Sequence, residues 1–164
     1  MVNKTILESV KDAIAAASAV VESAESELLW LLPPELLAFA GTYGLTTRSK
    51  MLIENGVRVR GITQISEAHI DMVRRFLDIG EEVRHIDQYR GEFLVVADKK
   101  ESISSIPQQA VTVDGLSLDD RIIGFWTDDP TYAEYLANIF EASWKEALDA
   151  RKRIQELEQG RSRV

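Results

Sequence analysis

The sequence predicts an α/β fold with a mixed, mainly parallel sheet, helices on both faces and long helices at both termini. Apolar runs typical of buried strands alternate with amphipathic helices through the first half of the chain, as in a parallel sheet. Several strands follow one another in the second half, which should add antiparallel pairs. The 164 residues are enough to bury roughly 70% of the unfolded chain's surface without disulfides or metals.

A long helix is predicted over residues 4–26, because Ile6, Val10 and Ile14 recur at helical spacing. The helix is rich in alanine and its apolar stripe is modest. Such a helix is weak alone, so we expect it to pack on the closing helix or on a second copy of the chain. We therefore assign residues 1–27 to an N-terminal dimerisation or packing helix.

The next stretch predicts a strand buried on both faces. Leu28–Leu32 is a continuous apolar run that ends at Pro33 and Pro34, where proline cannot continue the hydrogen-bonded ladder. Pro34 is suited to begin a short helix. The periodicity further along predicts helices ending near residues 54 and 79 and strands over residues 57–62 and 82–86.

The second half predicts a meander followed by a long helix. Strands are expected over residues 92–97, 102–106 and 121–126, with a turn at Asp98. Asp128 or Asp129 can cap a helix that begins at Pro130 and carries apolar residues at helical spacing as far as Ile154. We assign residues 28–155 to an α/β domain and residues 156–164 to a charged tail that frays.

Composition excludes several classes of function. Nineteen basic and 27 acidic residues give a net charge of −8, which argues against direct binding of nucleic acid. With no cysteine and two histidines, the chain lacks the side chains for a thiol nucleophile or a multi-histidine metal site. No metal and no cofactor are predicted. No apolar run is long enough to span a membrane, and no signal peptide is found, so we expect a cytoplasmic protein.

Polar residues follow the predicted strands, where ligands bind in open α/β sheets. They include Thr63, Asp87, Asp98 and Thr127. Arginines lie on or beside the second and third strands, at positions 58, 60, 84 and 90. They can clamp a carboxylate or phosphate, or they can be solvated residues paired with carboxylates at positions 54, 82 or 87. Asp128–Asp129 is read as a helix cap rather than a metal site.

Five stretches of the chain resemble a known domain family. Their positions are residues 27–34 (ELLWLLPP), 56–63 (GVRVRGIT), 82–87 (EVRHID), 91–98 (GEFLVVAD) and 123–126 (IGFW), with the closing helix after them. Together, from Leu28 to about Ile154, they resemble the phospholipase-D-like effector domain of archaeal TrmB-type transcription regulators and the related sensor domains of archaeal histidine kinases. The resemblance implies a phospholipase-D-like sheet, effector binding and dimerisation through a preceding helix.

The same resemblance implies that catalysis is absent. Phospholipase D enzymes use the motif His-x-Lys-x4-Asp, in which the histidine attacks phosphorus and the lysine holds a phosphate oxygen. When the motif is aligned on Asp98, Gly91 occupies the histidine position and Phe93 the lysine position. Neither can perform these steps, so the fold is expected without the chemistry.

We therefore expect a non-catalytic sensory domain of a signalling or transcription-regulation system, acting as a homodimer and with a possible partner signalling protein. The 27 residues before Leu28 are too few for a helix-turn-helix domain, which argues against direct transcription control. The expected effector is small and polar or anionic, and its candidate contacts are Arg60, Thr63, Arg84, His85 and Asp98. The alternative is a hydrolase or other enzyme that uses His85 with Asp87 or Asp98.

Overall fold

The computed structural model describes residues 1–89, 92–107 and 117–162. Within them, six α-helices, one short 3-10 helix at Glu67–His69 and eight strands follow one another along the chain. The strands are β1 Lys4–Ser9, β2 Glu27–Leu31, β3 Arg58–Thr63, β4 Glu82–His85, β5 Phe93–Ala97, β6 Glu101–Pro107, β7 Arg121–Thr127 and β8 Leu148–Asp149. The helices are α1 Val10–Ser23, α2 Pro34–Thr42, α3 Leu45–Glu54, α4 Ile70–Asp78, α5 Pro130–Glu146 and α6 Ala150–Ser162.

The described strands form one sheet in the order β1-β7-β6-β5-β2-β3-β4-β8. The predicted mixed sheet with helices on both faces is confirmed. Its parallel part is limited to β2, β3 and β4, and the five remaining neighbour pairs are antiparallel. The sheet is less parallel than expected, because the β5–β7 meander and both edge strands contribute only antiparallel pairs.

Each face of the sheet has its own apolar core. One core lies under α1, α2, α4 and α6, and the other lies under α5. Strand β2 serves both, as the prediction of a doubly buried strand required. Leu28 and Trp30 belong to the first core, while Leu29 and Leu31 belong to the second. The alternation follows from the two-residue period of side chains along a strand.

The N-terminal prediction of one helix over residues 4–26 is wrong in its first part. Lys4–Ser9 forms the edge strand β1, which runs antiparallel to β7, and the helix begins only at Val10. The side chain of Ser9 accepts a hydrogen bond from the Asp12 amide (3.2 Å) and so caps α1. The apolar stripe of α1 packs mainly on β5, β6 and α3 of its own chain rather than on the closing helix.

The closing helix is also interrupted, contrary to the prediction. It stops at Glu146, and Leu148–Asp149 then crosses beside β4 as the short strand β8. Asp149 begins α6 by accepting hydrogen bonds from the amides of Arg151 and Lys152. The tail predicted to fray continues this helix as far as Ser162. The sequence signal failed because apolar residues keep helical spacing across the break.

Strands β5 and β6 form the predicted hairpin. The connecting turn starts at Asp98, and the Lys100 amide donates to the Ala97 carbonyl at 2.9 Å. Asp98 and Lys99 both have φ of 55°. This is the left-handed region that two-residue hairpin turns of the primed types require and that residues other than glycine, asparagine and aspartate enter at a cost.

Candidate functional site

Arg60, one of the predicted contacts, binds carboxylates of its own chain through both terminal nitrogens of its guanidinium, while its buried Nε has no hydrogen-bond partner among the described residues. Its guanidinium is buried against α5, where Nη2 lies 3.0 Å from Glu27 Oε1 and Nη1 lies 3.2 Å from Glu141 Oε2. A second hydrogen bond joins Nη2 to Glu141 Oε1. The rings of Phe140 and Trp144 lie 5.4 and 5.3 Å from the guanidinium carbon. Arg60 therefore joins the sheet to α5 through charge and through aromatic packing.

The ionisation of this cluster follows its geometry. Burial disfavours the charged guanidinium of Arg60, but hydrogen bonds to Glu141 and Glu27 outweigh it, and the pKa is raised. Hydrogen bonds from Arg60 in turn hold the pKa of Glu141 below its ordinary value. The arginine thus has carboxylate partners within the protein, and its charge needs no external anion to be compensated.

The other arginines beside these strands differ in setting. Arg84 is partly buried, donates to the Trp144 carbonyl at 2.7 Å and places its guanidinium carbon 4.1 Å from the centre of the Trp144 ring. Arg58 is exposed and forms a bidentate ion pair with Glu82, in which Nε and Nη2 lie 2.7 and 3.0 Å from the two carboxylate oxygens. Arg90 lies outside the described residues.

Thr63 and His85 are neighbours on adjacent parallel strands. Thr63 Oγ1 donates to the Leu32 carbonyl at 2.8 Å. His85 is buried, and its Nδ1 accepts a hydrogen bond from the Ile65 amide at 2.8 Å. Because Nδ1 is an acceptor, the neutral ring carries its proton on Nε2, which lies 2.8 Å from Asp87 Oδ1. Both ring nitrogens are therefore occupied by protein groups.

Asp98 lies at the opposite end of the sheet from Thr63 and His85. Because β5 runs antiparallel to β2, its carboxyl end lies beside the start of β2. The carboxylate accepts four hydrogen bonds of 2.8–2.9 Å, from the amides of Glu25, Ser26 and Glu27 and from the Ser26 hydroxyl. Burial opposes ionisation, but these bonds prevail and lower the pKa of Asp98.

The predicted cluster at one common strand end is therefore corrected. Thr63 and Asp87 lie at the end where β3 and β4 terminate, whereas Asp98 and Thr127 lie at the other end. The expectation treated every strand as parallel, and the antiparallel strands reverse that end. As for the phospholipase motif, Phe93 is buried in the apolar core. Gly91 lies outside the described residues.

Two features of the structure were not predicted from the sequence. The first is Glu81, which is 5% exposed and accepts a hydrogen bond from the Trp30 indole nitrogen at 2.7 Å. Burial raises its pKa to about 7, against the opposing effects of the Trp30 and Ser49 side chains. A cavity of about 50 Å³ adjoins these three residues. A glutamate just before a strand gives no sequence signal of burial.

The second missed feature is an apolar groove of about 820 Å³ on the α5 face. Ile6, Ile106, Ile123 and Ile139 line it and are all exposed. The five predicted contact residues do not line this groove. Strand β7 carries apolar residues on both of its faces, and this was a usable signal for part of this surface. Ile6 was not recognised as part of it because residues 4–26 were predicted to form a helix.

Among the described residues, no cluster of three or more histidine, aspartate or glutamate side chains could hold a metal ion. The helices seen in the same residues also include none that is long and apolar enough to cross a membrane.

Comparison with solved structures identifies the fold. TrmBL2, an archaeal chromatin protein whose structure shows a novel mode of DNA binding, superposes with a TM-score of 0.67 at 12% identity. NUC from Salmonella typhimurium, a phospholipase D family member, superposes with a TM-score of 0.66 at 12% identity. The chain has a phospholipase-D-like fold. The predicted resemblance to the TrmB-type domain is thereby confirmed at the level of the fold.

The extent of the phospholipase-D-like match differs between these structures. The match covers 91% of this chain and 98% of the Salmonella protein. NucT from Helicobacter pylori matches similarly, over 91% of this chain and 99% of its own, with a TM-score of 0.62 at 10% identity. The match to TrmBL2 covers 90% of this chain but 54% of that one, so the chain spans about half of the chromatin protein's length. No protein-family model and no curated protein matches the sequence.

Proposed function

We propose that the chain is a non-catalytic regulatory domain that acts as a homodimer and responds to a small polar or anionic effector. The fold supports a regulatory role, because an archaeal chromatin protein contains it. The same fold also occurs in a phospholipase D family member. The choice between regulation and catalysis therefore depends on the side chains present in this chain.

One observation carries the proposal: among the described residues, neither the motif's lysine position nor His85 offers a group free to take part in phosphoryl transfer. Phe93, at the motif's lysine position, is an apolar core residue. His85 has both ring nitrogens hydrogen-bonded, to Ile65 and to Asp87. A general base or nucleophile needs a free nitrogen within reach of the substrate, and His85 offers none in this arrangement.

The alternative, an enzyme that uses His85 with a carboxylate, has one observation in its favour. The 2.8 Å contact between His85 Nε2 and Asp87 Oδ1 is the geometry in which an aspartate orients a catalytic histidine. Asp98 does not fit this role, since it lies at the other end of the sheet. The amide of Ile65 occupies the nitrogen that would have to face a substrate.

Phosphodiester hydrolysis separates the two functions. Purified protein is incubated with bis(p-nitrophenyl) phosphate, and p-nitrophenolate release is followed beside a buffer blank and the His85→Ala variant. We expect wild type, variant and blank to give the same rate. Turnover by wild type that disappears in His85→Ala would establish the enzyme and end the proposal.

The effector is tested by thermal stability. A ligand present at 100 times its Kd should stabilise the protein by about 2.7 kcal/mol, so a panel of organic acids, phosphates and sugars is screened for a rise in Tm. Arg84 is partly exposed and can be reached by an anion. We expect Arg84→Ala to remove the rise and Arg58→Ala, in an exposed ion pair, to keep it. A panel that leaves Tm unchanged contradicts the effector.

A further inference from the structure

Strand β1 presents an open edge of the sheet. It occupies one end of the strand order and, among the described strands, pairs only with β7. From Lys4 to Leu7 its outer side therefore carries backbone N–H and C=O groups that can pair with another strand. At Glu8 the amide already donates to Asp12 Oδ2 at 3.3 Å, and the register with β7 shifts between Leu7 and Ser9, so a second strand would have to displace this contact. Natural sheets usually protect such an edge, yet Ile6 at the middle of β1 is 63% exposed.

The side chains of β1 separate the two faces of this edge. Leu7 is buried in the core on the α1 side. Lys4, Ile6 and Glu8 alternate with it and lie on the α5 side, where Lys4 Nζ sits 4.7 Å from the centre of the Phe125 ring. Ile6 and Glu8 both line the apolar groove there. The outer edge is thus bordered by one exposed isoleucine with an opposite charge on each side of it.

The sequence of β1 matches itself in reverse. If two β1 strands pair antiparallel with Ile6 at the centre, Ile6 lies opposite its own copy and Thr5 lies opposite Leu7. Lys4 then lies opposite Glu8 of the second chain, and this occurs twice about the two-fold axis. Cross-strand pairs of opposite charge and of β-branched residues stabilise antiparallel sheets, and such self-matching is what a two-fold interface requires.

We propose that two copies of this chain associate through their β1 edges and form one continuous sheet across the dimer. The inference rests on the homodimer of the proposed function and names its surface. Charge complementarity selects a second copy over an unrelated strand. Helix α1, the interface expected from the sequence, is a poorer candidate because its apolar stripe is buried against its own sheet.

The apolar groove extends the same surface. Ile123 on β7 is 60% exposed and Ile106 on β6 is 50% exposed, and both line the groove beside Ile6. Two sheets joined at β1 bring the grooves of both copies to the same face, next to the two-fold axis. The backbone pairing supplies direction and register, while the isoleucines supply apolar area.

Charge reversal tests the register. Sedimentation equilibrium should give a dimer for wild type, and Lys4→Glu or Glu8→Lys alone should raise its Kd at least about tenfold, because each places like charges opposite one another twice. The double reversal should restore dimerisation, and so should an equimolar mixture of the two single variants. Lys50→Glu, on the exposed surface of α3, is the matched control and should behave as wild type.

A cysteine cross-link provides an independent measurement. The chain has no cysteine, so any disulfide in a single-cysteine variant joins two chains. Ile6→Cys should give a covalent dimer under mild oxidation, whereas Met51→Cys, of similar exposure on α3, should not. A wild type that stays monomeric at about 100 µM overturns both the interface and the homodimer. A dimer that ignores both charge reversals overturns the β1 interface alone and leaves the non-catalytic function standing.

Discussion

Arg60 holds a full positive charge between the sheet and α5, and two carboxylates from distant parts of the chain surround it. Glu27 belongs to the neighbouring strand and Glu141 to the helix above. A buried ion pair contributes little net stability, but the loss of one partner leaves the others uncompensated. Arg60 is therefore better understood as a structural residue that holds α5 on the sheet than as a ligand contact.

Truncation of Arg60 should destabilise the protein more than truncation of an arginine in an exposed ion pair. Arg60→Ala is expected to lower the free energy of unfolding by about 2–3 kcal/mol, at or just below the lower end of the range for a broken buried pair, because both carboxylates reach solvent. Arg58→Ala removes an exposed ion pair and should cost at most about 1 kcal/mol. Urea unfolding of both variants measures the difference, and equal losses would contradict the structural role.

Glu81 gives the protein a pH dependence of unusual sign for a carboxylate. Its pKa is raised by burial from 4.5 to about 7. Between these values the folded protein holds a proton that the unfolded chain has released. The free energy of unfolding therefore falls as pH rises from 4.5 to about 7, by about 3 kcal/mol from this group, and does not recover above that range.

Replacing Glu81 by glutamine should remove this loss of stability with rising pH. Glu81→Gln is expected to be less dependent on pH than wild type between pH 5 and 8, and to exceed wild-type stability at pH 8. Glu82→Gln is the control, because its ion pair with Arg58 lowers the pKa of Glu82 and its contribution is lost as pH falls. Chemical unfolding at pH 5, 6, 7 and 8 measures both. A Glu81→Gln variant less stable than wild type at pH 8 would contradict a buried, proton-holding Glu81.

The turn between β5 and β6 carries a backbone strain that a glycine would relieve. Lys99 has φ of 55°, while the adjoining Lys100 does not lie in the left-handed region. Lys99→Gly should raise the free energy of unfolding by about 0.5–1 kcal/mol, since Asp-Gly is a preferred hairpin pair. Lys100→Gly should lower it by a similar amount through chain entropy. Thermal unfolding compares the two, and stabilisation by both would contradict the argument.

The elements that the sequence predicted well are those with one strong local signal. Leu28–Leu32 is apolar throughout and stops at two prolines, and Pro130 follows a capping aspartate, so β2 and the start of α5 were predictable. Strands β1 and β8 were missed because their apolar residues continue the period of an adjoining helix. Only pairing with β7 and β4, which are remote in sequence, makes them strands.

The site was less predictable than the fold for a related reason. Each candidate residue was chosen by its side-chain type, whereas its role depends on partners far along the chain. Arg60 meets Glu141 of α5, Arg84 meets Trp144, and Asp98 binds the backbone before β2. No local pattern reports these pairings, so a polar residue with internal partners and a free ligand contact look alike in the sequence.

The two apolar cores share the strands of the sheet. Alternate residues of β2 and β5 point into opposite cores, so neither can unfold while the other keeps its strands. Trp30 reports on the α1 side and Trp144 on the α5 side. Two variants in which Trp126 is also replaced, one keeping only Trp30 and the other only Trp144, should show the same urea midpoint by fluorescence and by far-ultraviolet circular dichroism. A separate midpoint in either variant would indicate two units.

The brevity of β8 has a consequence for how far the molecule can assemble. The sheet has one long edge at β1 and one edge of only two residues, and α6 begins directly after it. Fibres grow when a subunit has two complementary binding surfaces, because each added subunit then leaves one such surface exposed for the next. In the proposed dimer, pairing at β1 uses the long edge of both copies and leaves β8 as the outward edge of the described sheet. Such a dimer is expected to remain a pair rather than to extend into a fibre.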